Sequence, residues 1–287
     1  CTVSDAMGLS VSFPEGPDEW AWPEAMATAS CLRPCSVLAL RTLLAASYMG
    51  HACYDVTTYY DSGFYFMYLT HISLFLQVLC SIFLVAATFL SLRQLHRFAD
   101  SPAPLEPVKV EAPVTCSIAL VLFSLQLPLS FMVVFMYWTL EVPIWSLPGG
   151  YHTTYDDLYV HGFQSLGMLL TFLFSRIPFR IRQWGWLMFA GVLYNIWTYL
   201  QYILKIGTLD GCSDYPREEC PIYGVFDWHK GGSTLLLGSM LVLVACPSVM
   251  SIFSMLGLLR DACDPGEESL MDLEDSSDSK DSETELS

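Results

Sequence analysis

Apolar residues in this chain come in long unbroken blocks, not in the alternation of a half-buried strand or the narrow stripe of a surface helix. Six blocks stand out, at about 36–57, 64–91, 114–140, 157–175, 185–206 and 233–260. Each has roughly the 20 residues that a helix needs to cross a bilayer. The pattern predicts an all-α integral membrane bundle of six transmembrane helices. The second and sixth blocks are the most continuous, while the first contains or adjoins Arg41, His51 and Asp55. Pro128 and Pro247 fall inside the third and sixth, where each removes a backbone donor and predicts a kink.

Composition agrees. Of 287 residues, 53% are hydrophobic and 15% charged, and mean hydropathy is +0.44. A soluble domain carries roughly 25% charged residues. The net charge of −16 is largely local, because residues 261–287 hold eleven acids and one lysine. The organisation expected is therefore a cytosolic segment over 1–35, the six-helix domain over 36–260 and a disordered acidic tail over 261–287. The first 34 residues lack a continuous apolar core and do not read as a cleaved signal peptide. The tail offers a surface for a cytosolic partner, with Ser276, Ser277 and Ser279 beside acids as phosphorylation candidates. So acidic a chain is not expected to bind nucleic acid. Its predicted partners are membrane lipids.

Basic residues set the orientation. Arg33, Arg41, Arg93, Arg97, Lys109, Arg176, Arg180, Arg182 and Arg260 fall on one side of the predicted bilayer. Only Lys205, Arg217 and Lys230 fall on the other. Nine against three places both termini in the cytosol. The membrane itself, plasma or internal, is left open, as is the oligomeric state. Tyr137, Trp138, Trp184 and Trp186 stand at span ends and read as interfacial belts.

Candidate chemistry lies in polar residues within the apolar blocks, because exposing them to lipid is costly. Thr70, His71 and Gln77 share the second block, and His161 and Gln164 stand one turn apart in the fourth. Asn195, Thr198 and Gln201 repeat at three-residue spacing in the fifth. Such stripes serve either as hydrogen-bonding glue between helices or as a binding pocket. His161 reads either as a satisfied buried histidine or as a base. No metal-ligand spacing, GxSxG elbow, P-loop or GxGxxG follows a strand, and no metal or cofactor is expected. Cys212 and Cys220 lie eight apart in the fifth loop, where an oxidising compartment permits a disulfide that spacing alone does not establish. Cys31 and Cys35 sit where S-acylation is feasible.

Several short strings add a resemblance. GFYFMYLTHISLFLQ (Gly63 to Gln77), MYWTL (Met136 to Leu140), HGFQ (His161 to Gln164), SRIPFR (Ser175 to Arg180), Leu193-Tyr194 and PIYGVFDW (Pro221 to Trp228) occur in order over roughly residues 36–250. Together they resemble the rolling stone family of six-span membrane proteins. That family is associated with myoblast fusion, so the resemblance implies a membrane or cell-surface role without established chemistry. The family is similar, more distantly, to the androgen-induced hydrolases, which cleave fatty acid esters of hydroxy fatty acids with an intramembrane threonine and a histidine. Carried over, that resemblance puts the nucleophile at Thr70. It puts the histidine at a position held here by Gln164, where the rolling stone branch usually has asparagine. An amide cannot accept the threonine proton, so His161, one turn away, is the base that the alternative hydrolase reading requires. His152, in GYHTT, is a weaker second candidate. Gln164, Asn195 and Gln201 are the expected binding residues.

Overall fold

The computed structural model describes residues 26–27, 32–59, 65–99, 113–142, 154–177, 179, 183–208, 212 and 214–262. The acidic tail beyond 262, Cys31, Lys109, His152, Arg180 and Arg182 lie outside the described residues.

The described chain is helical and contains no strand. Helix α1 is Pro34–Tyr59 and α2 is Leu69–Ala99. Helix α3 is Val114–Met136 and runs on into a π-helical turn, Tyr137–Glu141. Helix α4 is assembled from Tyr155–Leu158, the π turn Tyr159–Phe163 and Gln164–Leu173. Helix α5 is Trp184–Ile203. Helix α6 comprises Gly232–Met240, the π turn Leu241–Ala245 and Cys246–Ala262. Three of these, over Leu69–Arg97, Val114–Glu141 and Gly232–Asp261, are long and apolar enough to cross a membrane.

Each helix occupies a predicted block, with ends shifted by a few residues. The larger shifts are at α2, which starts at Leu69 rather than 64, after a short 3-10 turn at Tyr65–Met67, and runs on to Ala99 rather than 91. The break in α6 immediately precedes Pro247. Proline cannot donate to the carbonyl four residues back, and a π turn absorbs the lost bond.

Helix α3 is the centre, with twelve of its 23 residues buried and contacts to α2, α4, α5 and α6. Helix α6 is peripheral. Leu235, Leu236, Leu243, Met255, Leu258 and Leu259 are all exposed along it, an apolar surface suited to lipid rather than water. Where helices approach most closely, glycine is required. A side chain at Gly167 on α4 would overlap the Tyr48 hydroxyl of α1, and one at Gly238 on α6 would overlap Asn195 Oδ1 of α5.

Cations tie the helices at one end of the bundle. Buried Arg41 donates from Nη1 to the Met26 carbonyl (2.6 Å) and to Thr88 Oγ1 of α2. Arg260 donates to the carbonyl of Phe172 (3.0 Å) in the last turn of α4 and to those of Ser175 (2.7 Å) and Ile177 (3.2 Å) in the segment that follows. Its guanidinium also lies 4.9 Å from the centroid of the Phe172 ring.

Gly167→Leu tests the α1–α4 approach. The added side chain has to displace the buried Tyr48 ring, so stability falls by about 1–3 kcal/mol or more. The readout is a lower melting temperature of the detergent-purified protein.

Candidate functional site

At the opposite end of the bundle α2 begins just after the turn Tyr65–Met67. Its first backbone N–H groups have no partner within the helix. The Leu69 N–H donates instead to two phenol oxygens, those of Tyr194 (3.2 Å) on α5 and Tyr223 (3.1 Å) in the loop before α6. The Tyr194 hydroxyl donates to the Met67 carbonyl (3.2 Å). Tyr223 and Thr70 line the same pocket. Burial pushes the Tyr223 phenol up to about 12, so it is neutral and keeps its proton near pH 7.

His161 reaches the same place from α4. It sits in the π turn Tyr159–Phe163 at φ −105° and ψ 15°, off the helical values. Its ring lies flat on Tyr137, with centroids 3.5 Å apart and 4° between planes. Tyr137 in turn donates to Asp157 Oδ1 (2.6 Å), and Asp157 belongs to a capping box with Thr154 at the start of α4. Trp138 Nε1 donates to the His161 carbonyl (2.8 Å). The ring is thus clamped, yet buried His161 Nδ1 has no hydrogen-bond partner among the described residues. Such an atom marks a ligand, a water or a catalytic role.

Thr70, His161, Tyr223, Tyr137 and Glu141 line one pocket of about 20 Å³, together with Leu69, Val133 and Met136. One water needs roughly 10–15 Å³ measured this way, so the pocket has room for a single small group. Leu69 and Met136 also line a second, much larger cavity of about 600 Å³ between α2, α3, α5 and α6. A small chamber bordered by Thr70, His161, Tyr223 and Glu141 therefore adjoins a large apolar one.

Helix register explains the pairing. Gln164 Nε2 donates to Ser73 Oγ (3.0 Å) between α4 and α2. Thr70 and His161 each precede that pair by three residues, one turn. The two helices run side by side in the same direction, so stepping back one turn on both brings Thr70 level with His161.

The other expected residues lie apart from this pocket. Gln164 belongs to a buried amide cluster in which Gln126 Nε2 donates to Ser73 Oγ (3.0 Å) and Gln77 Oε1 (2.9 Å). Gln201 donates to the carbonyls of Gly207 (2.8 Å) and Cys220 (3.1 Å) and anchors the loop. Asn195 donates to the Gly191 carbonyl (2.8 Å) and lines the large cavity. Cys212 and Cys220 form a disulfide, with Cα atoms 5.7 Å apart. Nearby, Asp227 accepts from the His229 N–H (3.1 Å), the Tyr215 hydroxyl (3.2 Å) and Lys230 Nζ (3.1 Å). The hydrogen bond between Lys205 and Glu219 (2.7 Å) raises the lysine and lowers the carboxyl.

Tyr137 and Trp138, read from the sequence as an interfacial belt, also contact His161. Tyr194, Tyr223 and Glu141 are site residues that polar-stripe reasoning passed over, although Tyr194 and Tyr223 stand inside the strings that carry the family resemblance. Among the described residues no three His, Cys, Asp or Glu gather as a metal site.

Fold and site together define an all-helical bundle with membrane-type helices and a buried polar pocket. No protein-family model, curated protein or solved structure matches the chain.

Tyr223→Phe removes a phenol oxygen that accepts from the Leu69 N–H in a buried setting. A loss of about 1–3 kcal/mol is expected, read as a lower melting temperature. Tyr199→Phe, at an exposed ring, is expected to stay within about 0.5 kcal/mol.

Proposed function

We propose that the chain is an integral membrane protein of six spans with both termini cytosolic, and that its Thr70 pocket cleaves a long-chain fatty acid ester. One observation carries the catalytic reading. Thr70 shares a buried pocket with a histidine whose Nδ1 is unpartnered, and that pocket adjoins an apolar cavity large enough for a lipid tail.

In this reading Thr70 Oγ attacks the ester carbonyl and His161 Nδ1 takes the hydroxyl proton. The neutral Tyr223 phenol is placed to donate to the oxygen that becomes negative. Collapse of the tetrahedral intermediate breaks the ester C–O bond, and the protonated histidine returns its proton to the departing alkoxide. A water then attacks the acyl-threonine with His161 again as base, releasing the fatty acid and restoring Thr70. The pocket's volume suits that single water.

The orientation is supported by the grouping of Arg41 and Arg260 at the end opposite the disulfide loop. An N-glycosylation acceptor engineered into the loop at 212–220 is expected to be modified in cells, and one engineered after residue 262 is expected to stay unmodified. The reverse pattern inverts the topology.

A rolling stone-like membrane role without catalysis is the second reading. It is favoured by Gln164, which spends its amide on Ser73 and so contributes structure rather than chemistry.

Hydrolysis of a long-chain fatty acid ester by the purified protein separates the two. The catalytic reading expects turnover that Thr70→Ala abolishes, and a loss of about 10²–10⁴-fold in His161→Ala. If folded wild-type protein is as silent as both variants, the catalytic reading fails and the non-catalytic one stands.

A further inference from the structure

The large cavity shares Leu69 and Met136 with the Thr70 pocket and extends away from it along α5. On α5 its lining runs from Trp197, near the Thr70 pocket, down to Leu187. That is roughly 15 Å along the helix axis at about 1.5 Å per residue. At the far end Leu129 of α3, Leu187 of α5 and Cys246 of α6 are buried together and form a floor. Near the chamber, Phe66 and Leu193 are about half exposed and leave a side opening. Tyr194 and Asn195, polar groups in the wall, already donate to the Met67 and Gly191 carbonyls. Trp197 Nε1 is a buried donor in the wall without a partner among the described residues. The rest of the lining is apolar, and a volume of about 600 Å³ lies within the range of specific small-molecule sites.

We propose that this cavity is a site for one unbranched acyl chain, entered from the bilayer past Phe66 and Leu193, and that the floor made by Leu129, Leu187 and Cys246 sets the longest chain accepted. The proposal rests on Thr70 and His161 as the end where the ester is held. A chain that leaves lipid for the cavity exchanges one hydrocarbon setting for another, so added methylenes bring little gain. Length discriminates sterically instead. Occupancy is nearly flat with chain length until the terminal methyl meets the floor, and then falls.

The test uses the full chain in nanodiscs and a diazirine-bearing palmitic acid, crosslinked by light. Unlabelled saturated fatty acids from octanoate to docosanoate compete against it. Wild-type protein is expected to show a cut-off, beyond which competition weakens at least about fivefold, as for an overpacked core. Cys246→Phe raises the floor and shifts the cut-off to shorter chains. Leu187→Ala lowers it and shifts the cut-off to longer ones. If Cys246→Phe does not fold, Leu187→Ala decides alone. A wild-type profile without a cut-off, or a cut-off unmoved in a folded variant, overturns the proposal. Failure of the catalytic reading is separately visible: a protein that cleaves no ester, yet whose cut-off moves with the floor, keeps the chain site and loses the chemistry.

Discussion

Hydrocarbon offers no hydrogen-bond partner, and every polar group carried into it must be satisfied from within the protein. That constraint organises this bundle from end to end. At one end Arg41 and Arg260 take up backbone carbonyls. In the middle, Ser73, Gln77, Gln126 and Gln164 bond one another across three helices. At the other end two phenols share the first N–H of α2. Other buried atoms also lack a partner among the described residues, Gln77 Nε2, Gln126 Oε1, Gln164 Oε1 and Trp197 Nε1 among them, so what singles out a titratable one is the pocket it shares with Thr70. His161 Nδ1 is that atom: its ring is stacked on Tyr137 and its backbone carbonyl is held by Trp138, and neither contact uses the nitrogen.

The π turns arise from the same constraint. Each inserts a residue into the helical repeat and rotates the next stretch of helix about its axis, at the cost of poorer backbone bonding. Tyr137–Glu141 presents Tyr137 and Glu141 to the pocket, Tyr159–Phe163 presents His161, and Leu241–Ala245 supplies Leu241 and Val242 to the cavity wall. All three irregularities therefore border the two chambers. The first and third are each followed two residues later by a proline, Pro143 and Pro247, which leaves the second, at His161, to the packing of the site.

Much of the fold was legible because a spanning helix needs only length and apolarity. Leu69–Ala99 and Val114–Met136 follow from composition alone. The less apolar helices carry Arg41, Asp55, His161 and Gln201, the groups the interior uses, so the property that weakens them as spans is the one that gives them work. Polar stripes were legible too, and Thr198 and Gln201 are buried where the three-residue spacing puts them. Their partners were not legible. Ser73 meets Gln126 and Gln164 across 53 and 91 residues, and that depends on how far each helix slides against the next. Tyr137, Tyr194 and Tyr223 were hidden for a related reason, since an aromatic ring near a span end looks the same in sequence whether it faces headgroups or a pocket.

Register also bears on the position where the hydrolase resemblance calls for histidine. Gln164 bonds Ser73, so a base at 164 would stand level with Ser73, one turn deeper than Thr70. His161 stands at the level of Thr70 and lines the pocket with it. The amide at 164 is then no defect in the site but the rung beneath it. By joining α4 to α2 one turn below, it holds the register that sets a histidine opposite a threonine. Chemistry placed at 161 needs a neighbour at 164 that bonds and does not titrate, and glutamine meets both requirements.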